Sequence, residues 1–458
     1  MFATTRITAV GTAFMSMCAI SAFTACFVDT ESPLPAEFGV CTDDQNTPPV
    51  IDRPVTYYGD VKPIIDGKCA TCHRQGDIGP FPLETYDDAF FNQASMRAAI
   101  LGGTMPPWQP DECCNNYLWD RSLSPDDYAL LMAWFEQGAV AGDPNDPADP
   151  IDVDNGGLSR VDLTVTMPEP FTPQPIIGRD EIRCFLIDWP IDEEIFVTGL
   201  NVVPGNRSMV HHVILYTVDN SQLDAIRALE AEDTRPGWDC YGTFGADERP
   251  TGSLGGWTPG SRGVEFPDGL GRKVPAGSSL VLNVHYDTGT VIDEDQTSIE
   301  FMLADQVVDE LQSIGVANPL WLIEDGMSIA ADDPDAWVFF SYDPTVLFSG
   351  RKPFMLYAVN VHMHELGSVG RLAVLRADGS VECLVNINAW DFNWLGDYYL
   401  KEPVEIRPGD KIYLECHWDN TAGNQKIVDG EQQAPRDIAW GTDEEMCAAV
   451  LIVRKAGA

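Results

Sequence analysis

The stretch "LYAVNVHMHELG", residues 356–367, decides the fold class of the chain. Apolar and polar residues alternate along it over a short run, which predicts a β-strand with one face buried. Similar runs are "NRSMVHHVILY" (206–216), "SLVLNVHYD" (279–287) and "KIYLECHWDN" (411–420). The Asp378-Gly379 pair in "LRADGSVECL" predicts a hairpin turn between two more strands. We therefore predict a mainly β fold with two antiparallel, jelly-roll-like β-sandwiches, over residues 161–310 and 311–458.

Short helices and loops precede this β region and predict a small all-α domain over residues 56–142. Its clearest helix is "SPDDYALLMAWFEQG" (124–138), where Ser124 is an N-cap, Pro125 suits the first turn and Gly138 ends the helix. An acidic stretch with almost no apolar content, residues 143–160, predicts a linker to the β region. Residues 27–55 are rich in Pro, Asp, Glu and Thr and predict a tether.

Residues 1–26 are typical of an export signal and are left out of fold reasoning. Arg6 precedes an apolar run over residues 7–23, and small residues before Cys26 in "FTAC" resemble a bacterial lipoprotein box with Cys26 as the lipidated residue. We expect a protein exported from a bacterial cell, periplasmic or held at the outer membrane or cell surface. A lipid anchor would then be its one membrane contact. Disulfides are the default for the remaining cysteines in such an oxidising compartment.

The charge of the chain excludes one class of partner. The sequence has 71 acidic and 28 basic side chains, a net charge of −43. Such a surface repels phosphate backbones, so no nucleic-acid partner is expected. A solvated acidic surface is the plain explanation, and docking of a cationic electron donor is the alternative.

The motif "KCATCHRQG" predicts a covalent haem in the all-α region. Cys69 and Cys72 have the spacing of thiols that add to the two haem vinyl groups, and His73 would bind the iron. Met105 in "GGTMPPW" resembles the methionine loop of small c-type cytochromes and would be the second axial ligand. Residues 56–142 thus resemble a class I cytochrome c domain. The alternatives are a zinc or disulfide motif that also uses Cys113 and Cys114, and Met105 as loop packing.

The chain has only seven histidines, and six of them lie in the β region. His362 and His364 are two apart on a predicted strand, so both point to one face and can share a metal ion, while Met363 faces the core. His211 and His212 are adjacent and would point to opposite faces of a regular strand. Either one ring is packed, or the strand is irregular there. A thioether ligand would favour copper over zinc.

Five motifs in order, "MVHHVILY", "GGWTPG", "LNVHYD", "VHMHELG" and "GTDEEMC", resemble the copper type II, ascorbate-dependent monooxygenases, the family of peptidylglycine α-hydroxylating and dopamine β-monooxygenases. The resemblance covers residues 160–455 and implies two copper ions. His211, His212 and His285 match a three-histidine copper site. His362, His364 and Met446 match the second copper site, where oxygen binds beside the substrate.

The same resemblance implies several structural details. Using both adjacent histidines requires a bulge near Val210 that re-aims one ring. Disulfides are implied between Cys416 and Cys447, and between Cys184 and Cys240. His417 has no role in the family pattern and is expected to be an ordinary sheet-face residue. The partners of Cys41, Cys113, Cys114 and Cys383 stay open, with a bond from Cys41 to Cys113 or Cys114 as a guess.

The resemblance implies an enzyme that hydroxylates a C–H bond of a small molecule with O₂ and an external one-electron reductant, ascorbate-like or a periplasmic redox protein. The haem would relay at least part of the electrons. Asn360 and Val450 replace an arginine and a tyrosine that bind the peptide carboxylate in peptide-hydroxylating members, which disfavours a C-terminal carboxylate substrate. Two alternatives are a multi-centre electron-transfer protein without oxygenase activity and a copper-binding lipoprotein.

Overall fold

The computed structural model describes residues 32–35, 38–39, 47–149, 156–175, 180–240, 252–289, 291–322, 326–428, 431–441 and 444–454. The signal segment with Cys26, and Cys41, lie outside these ranges. The chain forms two compact units, Met1–Ala36 and Glu37–Ala458.

Most of the helices lie in the first part of the second unit, and strands dominate the rest. The helices are α1 (Lys62–Ile64), flanked by π-helical turns Tyr57–Val61 and Ile65–Cys69, α2 (Tyr86–Leu101), α3 (Pro125–Glu136) and α4 (Leu223–Glu232), with 3-10 turns at Pro344–Leu347, Phe392–Trp394 and Ala422–Asn424. The strands are β1 (Leu163–Thr166), β2 (Asp180–Asp188), β3 (Ile195–Val203), β4 (Val210–Val218), β5 (Trp238–Asp239), β6 (Gly252–Trp257), β7 (Val264–Glu265), β8 (Leu270–Val274), β9 (Ser279–Asp287), β10 (Ser298–Ala304), β11 (Asp309–Val316), β12 (Ser328–Ile329), β13 (Ala336–Tyr342), β14 (Phe354–His362), β15 (Gly367–Leu375), β16 (Val381–Ile387), β17 (Tyr398–Ile406), β18 (Lys411–Trp418), β19 (Ile427–Val428), β20 (Glu431–Gln432), β21 (Ile438–Ala439) and β22 (Ala448–Arg454). The prediction of a mainly β fold is confirmed.

The described residues of the β region form three large sheets and two short two-stranded sheets, β12-β21 and β19-β20. The largest has nine strands in the order β1-β10-β3-β8-β11-β22-β14-β17, with β7 paired to β3. A five-stranded sheet, β5-β2-β9-β4-β6, shares one hydrophobic core with the first half of the large sheet. A four-stranded sheet, β13-β18-β15-β16, shares a second core with the other half.

The strand at the predicted boundary near residue 310 belongs to both halves. β11 pairs in parallel with β8 on one side and antiparallel with β22 on the other. The large sheet is therefore continuous across this boundary. Both halves are held in register by backbone hydrogen bonds, which limits hinge motion between them.

Two local features predicted from the sequence, the N-cap of α3 and a hairpin turn, are present in the structure. Ser124 caps α3 by accepting a hydrogen bond from the Asp127 backbone N–H, with Pro125 in the first turn, as predicted. The predicted hairpin joins β15 to β16, and Gly379 has a φ of 89°, a conformation that glycine adopts without strain.

The segment from Trp108 to Arg121 fastens the helical region to the second core. Cys114 is disulfide-bonded to Cys383. The Tyr117 side chain is 1% exposed, and its hydroxyl donates to the Leu384 carbonyl at 2.8 Å. The acidic linker is thus not the sole connection between the helical region and the sheets. None of the helices in the described part of the chain is long and apolar enough to cross a membrane.

Candidate functional site

The strand that carries His211 and His212 is irregular at the predicted position. β4 pairs with β9 so that Val210 faces Tyr286 and His212 faces His285, with a register shift between Val210 and His212. His211 is the extra residue of this bulge. An extra residue re-aims the side chains next to it, and both adjacent rings lie beside His285. The prediction of a bulge is confirmed.

The nitrogen atoms of these three rings converge. His212 Nδ1 lies 3.4 Å from His211 Nδ1 and 3.2 Å from His285 Nδ1. Nitrogen atoms that each lie about 2.0–2.1 Å from one ion, as in zinc–imidazole sites, would be separated by such distances. The three side chains form a group able to hold a metal ion, and we name it the three-histidine cluster. Its donor set, three imidazoles, suits copper.

The surroundings of the cluster favour neutral, ligating imidazoles. Burial, with the charges of His285, His211 and His362, holds the pKa of His212 well below its usual value. The His285 Nε2–H donates to Asp180 Oδ1 at 2.9 Å. A carboxylate on the distal nitrogen fixes the tautomer and orientation of a ligating ring. Asp180 was not singled out in the sequence, because only the pairing of β2 with β9, which joins distant parts of the chain, places it beside His285.

His362 and His364 meet, although not on one regular strand. β14 ends at His362, and His364 lies in the loop that follows. The two Nε2 atoms are 3.1 Å apart, and His364 Nδ1 donates to the Glu444 carbonyl at 3.0 Å. Burial, then the charge of His364, lowers the pKa of His362 to about 3. Met363 is fully buried in the core, as predicted. We name His362 and His364 the HMH pair.

The segment that contains Met446 lies against this pair. β22 begins at Ala448, which is paired with His362 in the sheet. Glu445, 1% exposed, accepts hydrogen bonds from the backbone N–H groups of His364 and Leu366, both at 2.8 Å. Its carboxylate also accepts from Trp418 Nε1 at 2.9 Å. Glu445 directly precedes Met446 in the chain, so these hydrogen bonds connect the loop that contains His364 to the segment that contains Met446.

Disulfides support the strands around both histidine groups. The structure contains Cys416–Cys447, next to Met446, and Cys184–Cys240, between β2 and the segment after β5. Since Cys114 is bonded to Cys383, the guess of a Cys41–Cys114 bond is wrong. Cys113 is also disulfide-bonded.

The two positions where this chain departs from peptide-hydroxylating members are neighbours. Asn360 is paired directly with Val450 across β14 and β22. The Asn360 amide donates to the Gly396 carbonyl at 2.8 Å and also contacts the Asp397 carboxylate. Asp397 is exposed to solvent. Desolvation raises the pKa of Asp397, and Arg272 and Asn360 oppose this effect.

A cavity of about 290 Å³ lies between the helical region and the sheets. Its wall contains all four residues of the predicted haem site, Cys69, Cys72, His73 and Met105. His73 Nδ1 donates to the Phe81 carbonyl at 2.9 Å, which leaves Nε2 as the ligating atom. Apolar side chains such as Ile78, Leu83 and Ile100 form much of the remaining wall, so the lining suits a largely apolar group.

The cysteines bear on the two alternatives for the "CATCH" motif, a zinc site or a disulfide that also uses Cys113 and Cys114. Cys69 and Cys72 are not disulfide-bonded, and Cys113 and Cys114 are in disulfides, so they are not available for a zinc site. Burial raises the pKa of Cys69 to about 12 and also raises that of Cys72. Without a bound group, both thiols are therefore neutral at pH 7.

The turn Phe392–Trp394 contacts both histidine groups and was missed in the sequence. The Trp394 and His211 ring centroids are 6.2 Å apart, and those of Phe392 and His364 are 5.8 Å apart. Trp394 also lines the cavity that contains the "CATCH" residues. No local pattern marks this turn, because its contacts are to residues far away in the chain.

His417 stands apart from both groups. Its ring stacks on Trp337 and bonds to Asp335 at 2.8 Å and to Glu415 at 3.1 Å. It has partners of its own on the face of the four-stranded sheet, as expected for an ordinary sheet-face histidine.

Residues 347–452 match the family model described as copper type II ascorbate-dependent monooxygenase, C-terminal domain. This range contains the HMH pair and Met446. The match supports the copper type II, ascorbate-dependent monooxygenase family.

Three curated relatives that the chain matches are named as DBH-like monooxygenases. Human "DBH-like monooxygenase protein 1" is 27% identical over 268 residues, 54% of this chain and 40% of that protein. Mouse "DBH-like monooxygenase protein 2" is 26% identical over 47% of this chain and 35% of that protein. Human "Putative DBH-like monooxygenase protein 2" is 24% identical over 58% of this chain and 52% of that protein. The matched region spans about half or less of each relative.

Proposed function

We propose that the chain is an exported copper-dependent monooxygenase that hydroxylates a C–H bond of a small molecule with O₂, and that a covalent haem relays at least part of its electrons. The observation that carries this proposal is the cavity that brings the "CATCH" residues and Met105 against His211. A single-electron carrier site and a candidate copper site therefore share one wall. The matches to copper monooxygenases support the oxygenase part.

The three-histidine cluster and the HMH pair have different roles in this proposal. His211, His212 and His285 hold one copper ion, and His362, His364 and Met446 hold the other, which supplies the oxygen chemistry. Asp180 and the Glu444 carbonyl fix the ring orientations of His285 and His364. Glu445 positions the loop that contains His364 relative to the chain next to Met446.

Cys69, Cys72, His73 and Met105 hold the haem. The two thiols would attach it covalently, and His73 Nε2 and the Met105 thioether would bind its iron. A thioether ligand raises the reduction potential and suits electron transfer. An external one-electron reductant, ascorbate-like or a redox protein, recharges the centres.

The substrate is a small molecule without a carboxylate at the position of Asn360. The Asp397 carboxylate beside Asn360 disfavours an anionic substrate group at this position. Three disulfides between described cysteines support export, because such bonds persist in oxidising compartments. Lipidation of Cys26 and periplasmic or cell-surface attachment are part of the same proposal.

An electron-transfer protein without oxygenase activity is the second candidate. The cavity lined by His211 and the "CATCH" residues, which we name the haem cavity, favours this candidate equally, since a chain of redox centres needs such a contact. Oxygen incorporation separates the two candidates.

The test uses the full chain loaded with copper and haem, reduced by ascorbate and supplied with ¹⁸O₂ and a panel of small neutral and cationic compounds. We expect labelled product from the wild type and from His417→Gln, a matched histidine control outside both groups. His362→Ala is expected to give no product. Reduced protein that passes electrons to O₂ without labelled product across the panel would favour the electron-transfer candidate.

A further inference from the structure

The haem cavity borders one histidine group and not the other. His211, Asn393 and Trp394 line it together with the "CATCH" residues and Met105. Among the described residues that line the cavity, His211 is the only member of the three-histidine cluster or the HMH pair. An electron that leaves this cavity therefore meets the three-histidine cluster first.

Trp394 lies next to both the cavity and the three-histidine cluster. Its ring lines the cavity, and its centroid is 6.2 Å from that of His211, with the planes inclined at 44°. The rate of electron tunnelling falls steeply as the path lengthens, and a packed aromatic ring gives a shorter path than solvent. Phe392, two residues earlier, contacts His364 of the HMH pair from the far side of the same turn.

Gln109 fixes this turn to the segment that contains Met105. Its Nε2 donates to the Trp394 carbonyl at 2.8 Å, and its Oε1 accepts from the Asp391 backbone N–H, also at 2.8 Å. Asp391 caps the turn by accepting from the Asn393 N–H at 2.9 Å. One side chain thus holds both ends of the turn at a set distance from the haem site.

We propose that Trp394 is the electron-path residue between the haem cavity and the three-histidine cluster, so that electrons enter the copper pair at His211. This inference rests on the proposed function. In the step, one electron leaves ferrous haem iron, which becomes ferric, and reduces Cu(II) at the cluster to Cu(I). No bond is made or broken, no proton moves, and the external one-electron reductant restores the ferrous iron.

The test is a stopped-flow measurement on the full chain loaded with haem and copper, without oxygen. One equivalent of reductant is added, and haem absorbance follows the loss of ferrous iron as copper is reduced. We expect Trp394→Leu to slow this phase by about tenfold, which corresponds to about 1.4 kcal/mol of activation free energy. The haem spectrum, its midpoint potential and the copper electron paramagnetic resonance signal should match those of the wild type.

Three further variants complete the design. Trp337→Leu removes a tryptophan from the four-stranded sheet, where it stacks on His417, and should leave the rate unchanged. Trp394→Phe keeps a ring and should recover most of the rate. Gln109→Ala keeps Trp394 but frees the turn, and it should slow the transfer. It also tests the path if Trp394→Leu does not fold.

The outcomes separate this inference from the proposed function. Wild-type rates in both Trp394→Leu and Gln109→Ala, with haem and copper bound, would overturn the path and leave the monooxygenase proposal intact. A purified wild-type chain without a haem spectrum would overturn the haem relay itself.

Discussion

Glu445 offers the sharpest test of how the HMH pair is held. Its buried carboxylate accepts three hydrogen bonds, from the backbone N–H groups of His364 and Leu366 and from Trp418 Nε1. In Glu445→Gln the amide oxygen can keep the two donors at Oε2, but the amide nitrogen then faces the Leu366 N–H. One buried donor left without a partner costs about 1–3 kcal/mol. Glu445→Ala leaves all three donors without their acceptor and should cost at least about 3 kcal/mol.

The assay pairs denaturant unfolding with copper titration. Glu445→Gln should lower the unfolding midpoint and weaken copper binding at the HMH pair by about 10–100-fold, as for other groups that orient metal ligands. Copper binding at the three-histidine cluster should not change. Glu444→Gln is the matched control, because that side chain bonds Arg436 at the surface while its backbone carbonyl still holds His364. Equal effects of the two substitutions, or none from Glu445→Gln, would refute this reasoning.

The other predictions concern the three-histidine cluster, the haem and the stability. Asp180→Asn should weaken copper binding at the cluster by about tenfold or more and leave the HMH pair unchanged; a competition titration with a Cu(I) chelator measures both. Met105→His replaces a thioether axial ligand and should lower the haem midpoint potential in a redox titration; an unchanged potential would mean that Met105 is not a ligand. Burial lowers the pKa of His417, but its bonds to Glu415 and Asp335 outweigh this and raise the pKa. The contribution of the protonated ring to the free energy of unfolding is therefore fully present below about pH 6.5. It is lost as the pH rises through the raised pKa. Unfolding midpoints measured against pH should show this loss in the wild type and not in His417→Gln.

Features set by near neighbours could be predicted from the sequence. The cap of α3 at Ser124 and the hairpin at Asp378-Gly379 depend on local backbone geometry. The bulge at His211 was inferred from the family resemblance, which assigns both adjacent histidines to one site, since adjacent residues cannot share one face of a strand unless the register shifts. Local alternation likewise predicted the buried position of Met363.

Features set by distant pairings could not be predicted. The pairing of β11 with both β8 and β22 makes one continuous sheet, and nothing in the strand itself names its neighbours. The Cys114–Cys383 bond joins residues in different regions, and spacing does not determine such pairings. Trp394 looks like any other aromatic residue until the fold places it beside His211 and the haem cavity.

Anomalous X-ray diffraction from crystals of the full chain loaded with haem and copper tests the central claim most directly. Data at the copper edge should show one peak among His211, His212 and His285 and another among His362, His364 and Met446. Data at the iron edge should show a peak between His73 and Met105. Copper outside these residues, or a zinc peak between Cys69 and Cys72 with no iron, would contradict the account.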